Sequence, residues 1–433
     1  MNTVIASRAQ HPRYSNGLRK IPRPSWWSMR VELTVMWVVF LATHVFYAWQ
    51  ATWHPSGPFN DVTIVYRGWI DQAVAGDIPG IHSDYVYPVV SLIPMWLADL
   101  FGGRGGYMYA WMGIVIALDS LALWWLTRNP HGRLAGPRRL AAWWWTIFLL
   151  LLGTIAFGRI DAITVPIAII ALSLVMTRPA LAGALITIGA WTKVWPAALF
   201  ASAFVAIRRR WMLVLGAIVV CVSVMLGVLA IGGIDAIPHA LSFVSGQGDR
   251  GLQLESTAAS FFLMVHALGL VYYKNEFSQQ ILTQEIEGPG TKLVGDLLTP
   301  LMFIMMLVLM GLAVLAKKQG MGIATRLPTL TLGAVATFIV VNKVGSPQFI
   351  TWLAPVIIFG LVWDGRRFLP LSIVALSIAL LTQLVYPWYY WQIVDGMKAG
   401  AFTLLVRNLL VAGLMVWSVA HLGRGAFTKP KNS

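Results

Sequence analysis

The sequence predicts an all-α polytopic membrane protein, and three observations predict it. Hydrophobic residues fill 58% of the 433 positions and charged residues only 11%, against about 25% charged in an average soluble domain. The apolar residues gather in runs near the length that crosses a bilayer, about 20 residues. The basic residues gather between alternate runs, as the positive-inside rule requires. Such a composition excludes a soluble enzyme, and it excludes intrinsic disorder, which needs low hydrophobicity.

The candidate spans are 31–50, 107–127, 140–157, 162–177, 179–192, 194–207, 211–232, 293–316, 327–341, 349–363, 367–386 and 398–419. That makes about 12 transmembrane helices. The first run is too long for a signal-peptide core of about 7–15 residues, so it reads as an uncleaved span with a cytoplasmic N-terminus. Two further apolar stretches, 88–101 and 257–273, are short. If 88–101 crossed, the clusters Arg128, Arg133, Arg138, Arg139 and Arg208, Arg209, Arg210 would fall outside, against the rule. Both stretches are therefore expected to be interfacial or re-entrant helices on the outer face.

This topology accounts for the net charge of +15. The cytoplasmic side carries +20, the membrane −1 at Asp119, and the outside −4. The charge orients the protein, so no nucleic-acid partner is expected. The domain reading is a basic tail over 1–30, one membrane domain over 31–420 with outer loops 51–106 and 233–292, and a cytoplasmic tail over 421–433. Long loops are usually functional or disordered. These are rich in Trp, Tyr and carboxylates, which favours function.

The first outer loop brings Asn60-Asp61 ahead of apolar residues at 62, 65, 66 and 69, a helical spacing. Asn60 or Asp61 would cap that helix. The functional alternative for Asp61 is a carboxylate held at the membrane face as a general base. Further along come Gly76-Asp77-Ile78-Pro79 and Asp84-Tyr85-Val86-Tyr87-Pro88. In extended chain Tyr85 and Tyr87 share a side. Aromatic pairs beside an acid suit sugar rings; the other reading is an aromatic belt at headgroup level.

Three cations sit at outer helix ends against the charge bias: Arg159 in Gly158-Arg159-Ile160-Asp161, Lys193 in Thr192-Lys193-Val194-Trp195-Pro196, and Lys343 in Lys343-Val344-Gly345-Ser346-Pro347-Gln348-Phe349. Charges at such depth need a partner. It is either a lipid phosphate or an internal ion pair, such as Arg159 with Asp161 or Asp119. The second outer loop adds Arg250-Gly251-Leu252-Gln253-Leu254-Glu255-Ser256, a solvated loop or a substrate-ordering segment. No phosphate-binding loop or dinucleotide fingerprint occurs. Cys221 is the single cysteine and the eight His are scattered, so no metal site or cofactor is expected. The sugar donor should then come from the membrane and not from a soluble nucleotide.

In this order, from the early loop carboxylate to Lys-Val-Gly-Ser-Pro-Gln-Phe, the motifs resemble glycosyltransferase family 87, membrane enzymes of the GT-C class, over roughly residues 30–420. The nearest relatives in character are actinobacterial polyprenyl-phosphate-mannose-dependent α-mannosyltransferases. The resemblance implies a sugar, mannose in the first instance, taken from a polyprenyl phosphate on the outer face of the plasma membrane. It is passed with inversion to a glycolipid or lipoglycan of the cell envelope. It implies Asp61 as base; Lys193, Lys343, Arg159 and Arg250 at the donor phosphate; and Tyr66, Asp84, Tyr85, Tyr87, Asp161, Gln253, Glu255 and Gln348 around sugar and acceptor. Two positions depart from the family pattern: Pro88 is followed by Val89, and Asn342 stands where His is frequent. A polyprenyl-phosphate-arabinofuranose donor is the alternative within the class. A lipid or sugar transporter is the alternative outside it, and it would place ionisable groups near the midplane and show repeats.

Overall fold

A computed structural model describes residues 29–129, 134–245, 251–278 and 283–428. Arg250 and most of both terminal tails lie outside the described residues. The chain is almost wholly helical. In order come α1 (Met29–Trp53), α2 (Arg67–Val74), α3 (Leu92–Thr127), α4 (Ala135–Leu152), α5 (Asp161–Leu174), α6 (Pro179–Thr192), α7 (Pro196–Ala206) and α8 (Arg210–Gly232). They are followed by α9 (Ala236–Ser245), α10 (Thr257–Ala267), the hairpin β1 (Lys274–Ser278) and β2 (Thr283–Glu287), α11 (Thr291–Lys318), α12 (Ile323–Val340), α13 (Leu353–Gln383), α14 (Tyr390–Val394) and α15 (Lys398–Phe427).

Eight helical segments among the described residues are long and apolar enough to cross a membrane, fewer than the twelve runs expected. The difference has two sources. The runs 162–177, 179–192 and 194–207 form α5, α6 and α7, of 14, 14 and 11 residues, too short to cross alone at about 1.5 Å per residue. The runs 349–363 and 367–386 belong to one continuous segment, broken by non-helical backbone at Asp364. There Phe368 packs so closely on Gly360 that a Cβ would lie 1.9 Å from its ring. Both ends of that segment reach the same cavity, so it runs out and back.

The stretch 88–101 is the first part of α3, and it ends at a sharp turn at Gly103 (φ 55°). Its start lies beside Tyr85, which bonds Ser91. Past its middle, Asp99 pairs with Arg67, whose guanidinium also lies over Tyr107 beyond the turn. All these partners belong to one end of the bundle, so this helix does not traverse it. The stretch 257–273 behaves alike: only 257–267 is helical, and His266 at its end meets Gly396.

Opposite that end, basic residues hold helix termini. Arg326 donates to the carbonyls of Met321 and, across helices, Ala206. Arg139 pairs with Glu32 at 3.6 Å, and Arg367 with Asp364 at 2.8 Å. Cations suit the carbonyl ends of helices. The predicted clustering of basic groups at alternate helix ends is thus one face in space.

Inside the bundle α4 packs on α13 and α12 on α15, while α8 leaves Val219 57% and Leu226 60% exposed, a surface that suits lipid. Its contact with α6 depends on two glycines. A Cβ on Gly183 would lie 2.1 Å from the Leu213 carbonyl, and one on Gly216 1.9 Å from that of Ala180. Small residues let backbones approach this closely. Gly216→Leu should lower the melting temperature of the detergent-solubilised protein, with a cost on the order of 1–3 kcal/mol. Gly227→Leu on the same helix, where nothing lies within 4 Å, should melt as the parent chain does.

Candidate functional site

A cavity of about 430 Å³ opens at the end of the bundle opposite the basic clusters. Segments far apart in sequence line it: the first loop at Asp61, the α4–α5 turn at Arg159, the α6–α7 turn at Lys193, the stretch 251–255 with β2, the stretch 344–349, and Tyr386 to Trp391. From the sequence, all of these segments are expected outside, apart from Phe349 and Tyr386, which are expected at the ends of spans.

Asp61 opens one turn of π-helix. Asn60, at the cap position, makes no side-chain capping bond, and the Asp61 carboxylate turns instead to Arg159, with Nε 3.0 Å from Oδ2. The capping expectation does not hold. Oδ1 has no partner among the described residues, and about a third of the side chain is exposed to the cavity.

Arg159 is buried and committed. Its Nη1 donates to the carbonyls of Pro58 (2.9 Å) and Gly158 (2.7 Å), and its Nη2 to the Tyr386 hydroxyl (3.2 Å). Burial works against its charge, but Asp61, Tyr386 and Tyr66 more than offset this, so its pKa stands above the ordinary value. The ion pair expected with Asp161 or Asp119 is made with Asp61, because the first loop folds over the α4–α5 turn. These contacts engage Arg159 with protein groups and hold the Asp61 carboxylate in place.

Lys193 differs. Its ammonium lies 4.2 Å from the Tyr87 ring centroid and 5.9 Å from that of Phe349, an arrangement that attracts a cation. No carboxylate lies within 4 Å of it among the described residues, and its charge acts at longer range on the buried Asp161. Phe349 stacks on Trp352 at 4.1 Å and Trp352 on Trp195 at 5.5 Å. Asp161 is fully buried and accepts from the Trp352 indole at 2.6 Å. It lies behind the cavity wall and braces the aromatic stack, so it is not a direct sugar contact.

Two other expected contacts also sit behind the wall, and two more lie away from the cavity. Tyr66 is wholly buried and accepts the Ile160 N–H at 2.9 Å, fixing the Arg159 turn. Burial holds its phenol well above the usual value. Tyr85 is buried against Ser91 and Met95, and Tyr87 alone of the pair faces the cavity. Asp84 is exposed elsewhere and pairs with His239 at 2.7 Å. Lys343 is buried outside the cavity lining, and its carbonyl accepts from Gln253 N at 2.9 Å. Asn342, the departure from His, closes the turn after α12 by accepting from Val344 N.

Gln253, Glu255 and Gln348 do line the cavity. Gln253 is spent on the scaffold: its Oε1 accepts from Gly345 N and Ser346 Oγ, and its Nε2 donates to Thr283. The residues that sequence reasoning missed are Trp69, Glu285, Tyr386, Tyr390 and Trp391. The run Tyr386-Pro387-Trp388-Tyr389-Tyr390-Trp391 is aromatic enough to have flagged the segment.

Glu255 is 3% exposed. Burial pushes its carboxyl up to about 7 against its own backbone N–H, Arg407 and Gln253, which favour the charged form. The folded chain therefore keeps a proton that the unfolded chain releases near the ordinary 4.5. That contribution to stability is complete below about pH 4.5 and is lost as pH rises to about 7. The melting temperature of the parent chain should fall over this window, by at most about 1.4 kcal/mol of stability per pH unit. Glu255→Gln should be flatter than the parent there, and parallel curves would refute the assignment.

The family model of glycosyltransferase family 87 matches residues 85–344. No curated protein matches the chain. The matched residues include Arg159, Lys193 and the 251–255 stretch and begin after Asp61. The match takes in more than half of the sequence, and the chain belongs to this family.

Proposed function

We propose that this family 87 glycosyltransferase moves mannose from a polyprenyl phosphate to a glycolipid or lipoglycan hydroxyl at the outer face of the plasma membrane. One observation carries the reading. A carboxylate with a free oxygen and an uncommitted ammonium share one cavity at the bundle end opposite the basic clusters. The positive-inside rule puts that end outside.

The acceptor hydroxyl attacks the anomeric carbon as the C–O bond to the donor phosphate breaks. Asp61 Oδ1 takes the hydroxyl proton. The lipid phosphate departs with the bonding electrons, and Lys193 offsets the charge that develops on it, the kind of electrostatic stabilisation that contributes most in such reactions. Attack from the face opposite the leaving group inverts the anomeric centre. Arg159 holds Oδ2, so that Oδ1 presents a fixed lone pair to the acceptor. Tyr87 and Phe349 keep Lys193 at the cavity. Arg250, outside the described residues, remains a proposed phosphate ligand from the same loop as Glu255.

Transfer in proteoliposomes from radiolabelled polyprenyl-phosphate mannose tests the reading. Asp61→Asn should lose at least about 100-fold in turnover, the range of general base catalysis. Lys193→Ala should lose activity with the phosphate-linked donor while the fold melts normally. Activity with polyprenyl-phosphate arabinofuranose alone would reassign the sugar, and full activity of Asp61→Asn would remove the base.

A further inference from the structure

The stretch 251–255 pairs with β2. Leu254 N donates to Gln284 O at 2.9 Å and Ile286 N to Leu252 O at 3.0 Å, and Gln253 lies opposite Glu285. Alternation across such a ribbon sends neighbouring side chains to opposite faces. Leu252, Leu254 and Ile286 enter the core, at 3%, 0% and 1% exposure. Gly251, Gln253, Glu255, Thr283 and Glu285 face the cavity. This polar face carries two carboxylates with an unanswered oxygen each: Glu255 Oε2 and Glu285 Oε1 are buried without a hydrogen-bond partner. Gly251 makes room for one of them, since a Cβ there would lie 2.8 Å from the Glu285 carboxylate.

Buried acceptors left unmade are costly, and a site that holds them expects donors from its ligand. The cavity also holds Lys193, which lies against the Tyr87 and Phe349 rings, while Glu255 and Glu285 lie on the polar face of the ribbon. An anionic group is drawn to Lys193, and the two carboxyl oxygens on the ribbon attract donors instead. Sugar hydroxyls supply O–H donors without charge.

Resting on the transferase reading above, we infer that Glu285 together with Glu255 forms the acceptor subsite, and that this subsite takes an uncharged, hydroxyl-rich sugar ring and rejects phosphorylated or uronic sugars. Glu285 is thus a specificity residue for the acceptor, on a strand that lines the same cavity as Asp61.

Binding tests this separately from transfer. Saturation-transfer NMR on the full chain in nanodiscs would use methyl glycosides of mannose, glucose, galactose and arabinofuranose, with mannose 6-phosphate and glucuronate as anionic controls. At least one neutral glycoside should bind, and any anionic sugar that binds should depend on Lys193 and not on Glu285. Glu285→Gln and Glu255→Gln should weaken binding roughly tenfold or more, the scale of a hydrogen bond to a charged group. Gly251→Ala keeps both carboxyl groups and displaces that of Glu285, so it should give the same loss. Gly227→Leu on α8, where nothing lies within 4 Å, should retain binding. No binding of any neutral glycoside, undiminished binding in Glu285→Gln, or binding of an anionic sugar that depends on Glu285 would each overturn the inference. Binding with this pattern in a chain that transfers no sugar would uphold the subsite and reject only the transferase reading.

Discussion

The candidate site depends on one buried guanidinium. Arg159 joins the first loop through Asp61 and Pro58, its own turn through Gly158, and the segment after α13 through Tyr386. Three stretches more than 90 residues apart thereby become one wall. The approach demands glycine at 158, where a Cβ would meet the Phe59 ring at 2.2 Å. Removing one partner from a buried ion pair leaves an uncompensated charge. Asp61 is therefore part of the structure as well as of the proposed chemistry, and any measurement of its role in turnover has to be read beside a measurement of folding.

The opposite wall is organised by a neutral group. The Gln253 amide ties 251–255 to β2 and to the turn at Gly345 and Ser346. Gly345 lets that turn lie against Ser256, where a Cβ would be 2.2 Å from the backbone. Both walls are thus built from short irregular segments carried at helix ends. Irregular backbone needs partners that lipid does not offer, and here it finds them in other loops and in the buried Arg407, which donates to the Glu255 carbonyl at 2.9 Å.

Much of this was legible in the sequence. Apolar runs marked the long helices, because burial in lipid acts on composition alone. Asp61 and Lys193 were found because a charge at a helix end needs a reason. What composition cannot show is where a side chain points. Tyr66, Tyr85 and Asp161 sit at the cavity end of the bundle yet turn into the protein, where Ile160, Ser91 and Trp352 need their hydrogen bonds. Glu285 went unnoticed in a polar loop, although Leu252-Gln253-Leu254-Glu255 shows the strand alternation that its partner completes. The short helices α5, α6 and α7 were counted as full spans because apolar content does not report length across a turn.

Asp119, buried within α3, bears on the choice between transferase and transporter. Asp119 was expected to answer an outer cation. It meets His44 instead, with Oδ2 3.0 Å from Nε2, and His44 Nδ1 lies 2.8 Å from the Phe40 carbonyl. Both side chains are buried. The cavity beside Asp119 measures about 10 Å³, at the lower bound for a single water. A carrier needs its midplane charge to meet a substrate. This pair is closed on itself, and the roomy, charged cavity lies at the end of the helices, where a lipid headgroup can enter and a tail can stay in the bilayer.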